Sequence, residues 1–236
     1  MHPNPATLAA GAAVIAALWA TYLATVVTRR VEPAVPALNW WKAALFAAVG
    51  AAGLATIVGT VEAAFIVGFI VPLLVLGSYV DALTKRLPNR YNGETGLVVA
   101  IGAIAVGFGV SPVAALIAGG AGVGALVVFG LLSVASRGGF GMGDVKLAGV
   151  IAGALALIDV TAAPTHLLAG PLGLTVIALH LMVWVCLSFL FGGLYVAVRL
   201  LRKVKGHFPF GPFFAAGWVL AAGATPAFMD LLAPFA

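Results

Sequence analysis

Two short segments carry the residues of this 236-residue chain best suited to chemistry. In Tyr79-Val80-Asp81-Ala82-Leu83-Thr84-Lys85-Arg86-Leu87-Pro88-Asn89 an apolar stretch ends in an aspartate. In Gly138-Gly139-Phe140-Gly141-Met142-Gly143-Asp144-Val145-Lys146-Leu147 a glycine-rich turn delivers a second aspartate to the start of another apolar stretch. Carboxylates are general acids and bases, and they also serve as proton relays. Two of them about 4 Å apart repel by roughly 4 kcal/mol at an effective dielectric near 20, so a close pair is expected to share one proton. Such a pair can take a proton from water with one member and donate one with the other. Plainer roles exist for each. Asp144, at a helix start, would complement the helix dipole and cap free N–H groups. Asp81, at a helix end, is electrostatically misplaced and calls for a partner or a task. Gly138 to Gly143 could be only a loop, but Gly141 and Gly143 lack Cβ atoms and let another backbone approach closely, as a site acting on an extended peptide requires.

The elements that must position these residues are membrane helices. Hydrophobic residues make up 63% of the chain and charged residues 8%, with a mean hydropathy of +1.18, which excludes a soluble domain of this size. The 30 glycines fit helices packed closely in a bilayer. Counted against the roughly 20 residues a helix needs to cross, the apolar runs predict eight spans: 7–27, 43–60, 62–80, 96–110, 112–135, 144–160, one within 174–198, and 210–232. The fold class expected is all-α and polytopic. His166 to Gly173 reads as a short interfacial piece. The first span is too long and too uncharged at its start for a cleaved signal peptide.

With the N-terminus outside, all twelve Lys and Arg residues, from Arg29 and Arg30 to Lys203 and Lys205, fall in cytoplasmic loops or their margins. The opposite loops hold only Glu62, Asp159 and Asp230. That asymmetry is what the positive-inside rule predicts, so the pI near 9.7 reflects orientation and not a nucleic-acid surface. It places both aspartates at the cytoplasmic boundary, at one depth, where they meet if the third and sixth spans pack together. His180, isolated within the seventh span, His166 on the outer side and His207 in an inner loop read as structural or interfacial residues. The single Cys186 can form neither an internal disulfide nor a zinc cluster.

Gly141-Met142-Gly143-Asp144, a GxGD pattern, together with Asp81 and the following Lys85-Arg86-Leu87-Pro88-Asn89, resembles the intramembrane aspartic peptidases of the type IV prepilin peptidase family. Gly143-Asp144-Val145-Lys146-Leu147 is close to that family's pattern in particular, and Pro209-Phe210-Gly211-Pro212-Phe213 resembles a turn before the final helix of bacterial members. The resemblance spans roughly Phe65 to Gly217. Presenilin-like peptidases share GxGD, but their first aspartate is not followed by Arg-Leu-Pro-Asn. The resemblance implies a single membrane-embedded peptidase domain over 1–236, with Asp81 and Asp144 catalytic and Gly141, Gly143, Lys146, Pro88 and Asn89 binding substrate or supporting the motif. It implies a prepilin-like protein substrate, with a basic cytoplasmic leader and an apolar helix in the lipid bilayer. No metal or organic cofactor is implied. Many bacterial members carry a cysteine-paired cytoplasmic segment after the first span, tied to N-methylation of the trimmed pilin. Here only Arg29 to Trp41 stands in that place, without cysteine, so cleavage without methylation is expected.

The competing reading is a carboxylate-relay transporter or proton channel, built on the same two aspartates. A relay has no need of Gly-x-Gly before one carboxylate and usually sets its carboxylates near the midplane. A purely structural membrane subunit would account for the spans but not for the aspartates.

Overall fold

The computed structural model describes residues 4–27, 40–85, 87–136, 141–163, 170–204, 208–230 and 234. Its elements are α1 (Pro5–Tyr22, continued by a π-helical turn over Leu23–Val27), α2 (Trp40–Val58), α3 (Val61–Thr84), α4 (Asn89–Gly109), α5 (Pro112–Ala135), α6 (Met142–Ala162), α7 (Pro171–Leu201) and α8 (Gly211–Asp230). Among the described residues these eight helices are long and apolar enough to cross a membrane, and no strand occurs. The protein is an all-α, multi-pass membrane protein.

Local chemistry sets several helix starts. Pro5 and Pro112 stand in the first turns of α1 and α5, where a missing N–H costs nothing. Asn4 and Ser111 accept the Ala6 and Val113 N–H groups at 2.9 and 3.2 Å, and Thr60 caps α3 by accepting the Ala63 N–H at 3.2 Å.

The helices α3 and α6 lie at the centre, buried on nearly all faces, and α8 packs against both. Around them, α1 pairs with α2, α5 with α6, and α7 with α8, while α4 touches α3, α5 and α6. Small residues allow this closeness. The buried stripes of the paired helices α1 and α2 are Ala12, Ala16 and Ala20 on one and Ala43, Ala47, Ala51 and Ala55 on the other, each at four-residue spacing.

The eight spans stand, but several boundaries move. The third helix continues past Val80 to Thr84, which puts Asp81 inside its last turn. The fourth begins at Asn89, not Gly96. Its first turns hold Asn89, Arg90, Asn92 and Glu94, whose polarity hides a helix from a hydropathy count, and Arg90 Nε donates to Glu94 Oε1 at 2.6 Å one turn on. The sixth spans Met142–Ala162 and the seventh Pro171–Leu201, so Pro171 opens a helix and is not part of an interfacial piece. His166, like 164–169 generally, and His207 lie outside the described residues, as do Gly138, Gly139 and Phe140.

Two expectations are corrected. Asp159 is not an outer-loop residue: it lies within α6 with no exposed surface. His180 is not isolated either; it is fully buried and bonded to Asp159.

Candidate active site

The carboxylate of Asp81, 3% exposed, faces the start of α8, where the Gly211 N–H donates to its Oδ2 at 2.8 Å. Gly211 is the first residue of α8, so the free N–H end of that helix and its dipole meet the aspartate. The charge misplaced at the end of α3 is thereby well placed at the beginning of α8. A Cβ at position 211 would lie 2.8 Å from Asp81 Oδ2, closer than such atoms approach, so the contact requires glycine.

Packed aromatic rings hold the turn that presents this N–H. Phe210 packs edge-on against Phe214 at 4.7 Å and tilted against Phe189 at 5.4 Å. Farther along α8, Trp218 Nε1 donates to the Ile151 carbonyl of α6 at 3.1 Å, and Trp184 Nε1 of α7 donates to the Phe214 carbonyl at 3.3 Å. These bonds fix α8 on the two helices beside it.

In the first turn of α6, Asp144 is partly exposed, where Asp81 is buried. Gly141 is the N-cap of α6, in extended conformation, and a Cβ there would lie 3.4 Å from Asp144 Oδ2. Asp144 thus does occupy the dipole-favoured position that alone would account for an aspartate there. The packing of α3 on α6 adds a second relation: Asp81, in the last turn of α3, and Asp144, in the first turn of α6, stand at the same end of the bundle. Two carboxylates on two central helices, each beside a helix N-terminus, thus gather at one end of the bundle.

The supporting residues gather at the same end of the bundle. Lys85 closes α3 in left-handed conformation, at φ 54°, and its N–H returns to the Asp81 carbonyl at 2.8 Å. Three residues on, Pro88 is the N-cap of α4, supplying no side-chain bond of its own. Between them Leu87 wedges α3 to α6: ideal Cβ atoms on Gly77 and Gly143 would each come within 3.0 Å of it. Position 143 therefore needs glycine for close approach of the Leu87 carbonyl, not for an unusual backbone conformation. Asn89 Oδ1 accepts from Lys146 Nζ at 2.8 Å, and Asn92 Nδ2 donates to the Gly143 carbonyl at 2.9 Å. The segment after the first aspartate is thus tied by a wedge and two hydrogen bonds to the helix bearing the second.

All seven residues singled out in the sequence converge here. Leu87, Asn92 and Gly211 complete the cluster. In the sequence Gly211 stood only as part of the Pro-Phe-Gly-Pro-Phe turn, with nothing to indicate that its N–H binds Asp81. Asn92 carried no signal, being one polar residue in a polar first turn.

A family model described as the type IV leader peptidase family matches residues 68–197, more than half of the chain, and both aspartates fall inside the match. The chain belongs to that family. It is a multi-pass membrane peptidase, acting on protein substrates from within or beside a bilayer. No curated protein and no solved structure matches the chain.

Proposed function

We propose that this protein is an aspartic endopeptidase that removes the leader of type IV prepilin-like proteins at the cytoplasmic face of the cell's inner membrane, with Asp81 and Asp144 as its catalytic pair. The observation that carries the reading is the placement of the two aspartates at one end of the packed helices α3 and α6, each beside a helix N-terminus. The pair shares one proton. Its ionised member takes a proton from water as the water oxygen attacks the scissile carbonyl carbon. Its protonated member gives its proton to the carbonyl oxygen, forming a neutral tetrahedral diol. The C–N bond then breaks as a proton passes to the leaving amine, which leaves a new carboxyl terminus and one proton again on the pair. The titration belongs to the pair and not to either residue.

Side and substrate follow from charge. The distribution of the basic residues, read by the positive-inside rule, supports a cytoplasmic position for this end of the bundle. A substrate cut here has its leader in the cytoplasm and its apolar helix in the bilayer. The test is co-expression with prepilin-type proteins, read as a size shift on a gel. Asp81→Asn and Asp144→Asn are each expected to abolish the shift while the protein still accumulates, and the double variant to be no worse than either single one. Asn keeps the size and hydrogen bonding of Asp but cannot ionise. Wild-type cleavage by the Asp81→Asn protein would refute the two-aspartate mechanism.

A further inference from the structure

A second buried polar cluster lies far from the aspartate pair. Asp159 follows Asp144 by fifteen residues on α6, roughly 22 Å along the helix, close to its opposite end. His180 of α7 approaches it with Nδ1 2.9 and 3.0 Å from the two carboxylate oxygens, while its Nε2 lies 2.7 Å from the Ala221 carbonyl of α8. Thr225, one turn farther along α8, donates its hydroxyl to Asp159 Oδ1 at 3.3 Å, and Phe228 stacks on the imidazole at 4.3 Å. Asp159, His180 and Thr225 have no exposed surface. Three helices contribute, and the proposed cleavage uses none of these groups.

The hydrogen-bond inventory fixes the proton count. A carbonyl oxygen only accepts, so Nε2 carries a hydrogen. Between Nδ1 and the carboxylate there is then one proton, on the nitrogen or on an oxygen. With none, a ring lone pair would face a carboxylate at hydrogen-bond distance; with two, the buried cluster would carry a net positive charge that none of its partners offsets. Imidazolium with carboxylate and neutral imidazole with carboxylic acid are both net neutral, which is the condition under which such groups can be buried in a bilayer.

We propose that Asp159 and His180 form a one-proton, net-neutral latch that sets α8 on α6, and that they are positioning residues for the aspartate pair. The link is structural. α8 carries Gly211, whose N–H holds Asp81, and α6 carries Asp144; the latch fixes the same two helices at their other ends. Of this, the effect on cleavage rests on the function proposed above, whereas the latch itself does not.

The test uses three variants of the full-length protein, compared for thermal stability and for prepilin cleavage. Asp159→Asn can keep each bond, its amide donating to Nδ1 of a neutral His180 and its carbonyl oxygen accepting from Thr225, and adds one amide hydrogen for which the cluster shows no acceptor. It is expected to stay close to the wild type, and far above His180→Ala, in both measurements. His180→Ala leaves a buried carboxylate with Thr225 alone, and should shift the unfolding equilibrium by roughly a hundredfold or more and lower kcat more than it raises KM. Adding Asp159→Asn to His180→Ala removes the unpaired charge and should recover most of that loss, although the cavity left by the imidazole is the same in both proteins. If the cluster were packing alone, the double variant would be as impaired as His180→Ala, and that result would overturn the latch. So would an Asp159→Asn protein as damaged as His180→Ala, or a His180→Ala protein equal to the wild type. Should stability follow the expected order while kcat stays constant in all three, the latch stands and its positioning role falls. If the wild type cleaves no prepilin, the proposed function fails, and the order of stabilities still decides the latch.

Discussion

Gly211→Ala isolates the contact that sequence reasoning could not see. The new methyl group would lie 2.8 Å from Asp81 Oδ2 and 3.4 Å from its Cβ and Cγ, so the carboxylate must swing away from the Gly211 N–H. A hydrogen bond to a charged group is worth roughly 1.5–3 kcal/mol. Losing it in the step that depends on Asp81 corresponds to about a ten- to hundredfold fall in kcat. The fold should not suffer in proportion, because alanine is the better helix former and stands here at the first position of α8. The assay is steady-state cleavage of a prepilin-type substrate by purified protein in lipid, with the thermal unfolding midpoint measured in parallel. Gly223→Ala serves as the control: it lies on the same helix, and a Cβ there meets nothing within 4 Å. The expected pattern is a fall in kcat for position 211 alone, with KM and unfolding midpoint close to wild type. Wild-type kcat in Gly211→Ala would refute the assignment of α8 as the element that holds Asp81.

Three further outcomes follow from the same geometry and charge. Gly143→Ala should lower cleavage by roughly tenfold, since its Cβ would sit 3.0 Å from the Leu87 carbonyl oxygen and displace the wedge between α3 and α6; Gly141→Ala, whose Cβ would lie at an ordinary 3.4 Å from Asp144 Oδ2, should cost far less, and the reverse order in a cleavage assay would count against the close-approach reading. In a Cys186→Ser background, needed because the native cysteine is exposed, cysteines at Thr84 and Ser136 should label only from the cytoplasmic side and one at Thr165, outside the described residues, only from the other; labelling of position 84 from outside would reverse the orientation. Mass spectrometry of the trimmed pilin should show an unmethylated N-terminus, and a methyl group that appears only when this protein is supplied would overturn that expectation.

What the sequence makes legible divides along physical lines. Apolar runs with almost no charge specify membrane helices because nothing else satisfies the backbone in lipid, so the eight spans could be counted directly. Boundaries were lost wherever a helix begins or ends in polar residues, as at Asn89–Glu94 and at Asp81–Thr84, since hydropathy registers the lipid and not the helix. The aspartates were conspicuous because ionisable groups beside lipid are costly, and glycines at fixed offsets marked the second of them. The partner of Asp81 was invisible for a different reason. A backbone N–H belongs to every residue but proline, so its use at Gly211 depends on where α8 starts in space, 130 residues downstream.

Asp159 shows how the same logic fails from the other direction. A carboxylate near the end of an apolar run reads as a loop residue because, taken alone, it is too costly to bury. The cost is removed by His180, twenty-one residues on and on another helix, and no rule about local composition contains that pairing. The misplacement left the predicted orientation untouched, because acidic residues contribute little to the positive-inside bias and the basic ones were all assigned. It does change the reason for one outcome. Asp159→Asn is expected to be benign on either view: on an outer loop because the residue would be far from the chemistry, in α6 because the amide reproduces each bond of a neutral, one-proton pair. Only the second view predicts that the same substitution rescues His180→Ala, so the two locations are separable by function as well as by structure.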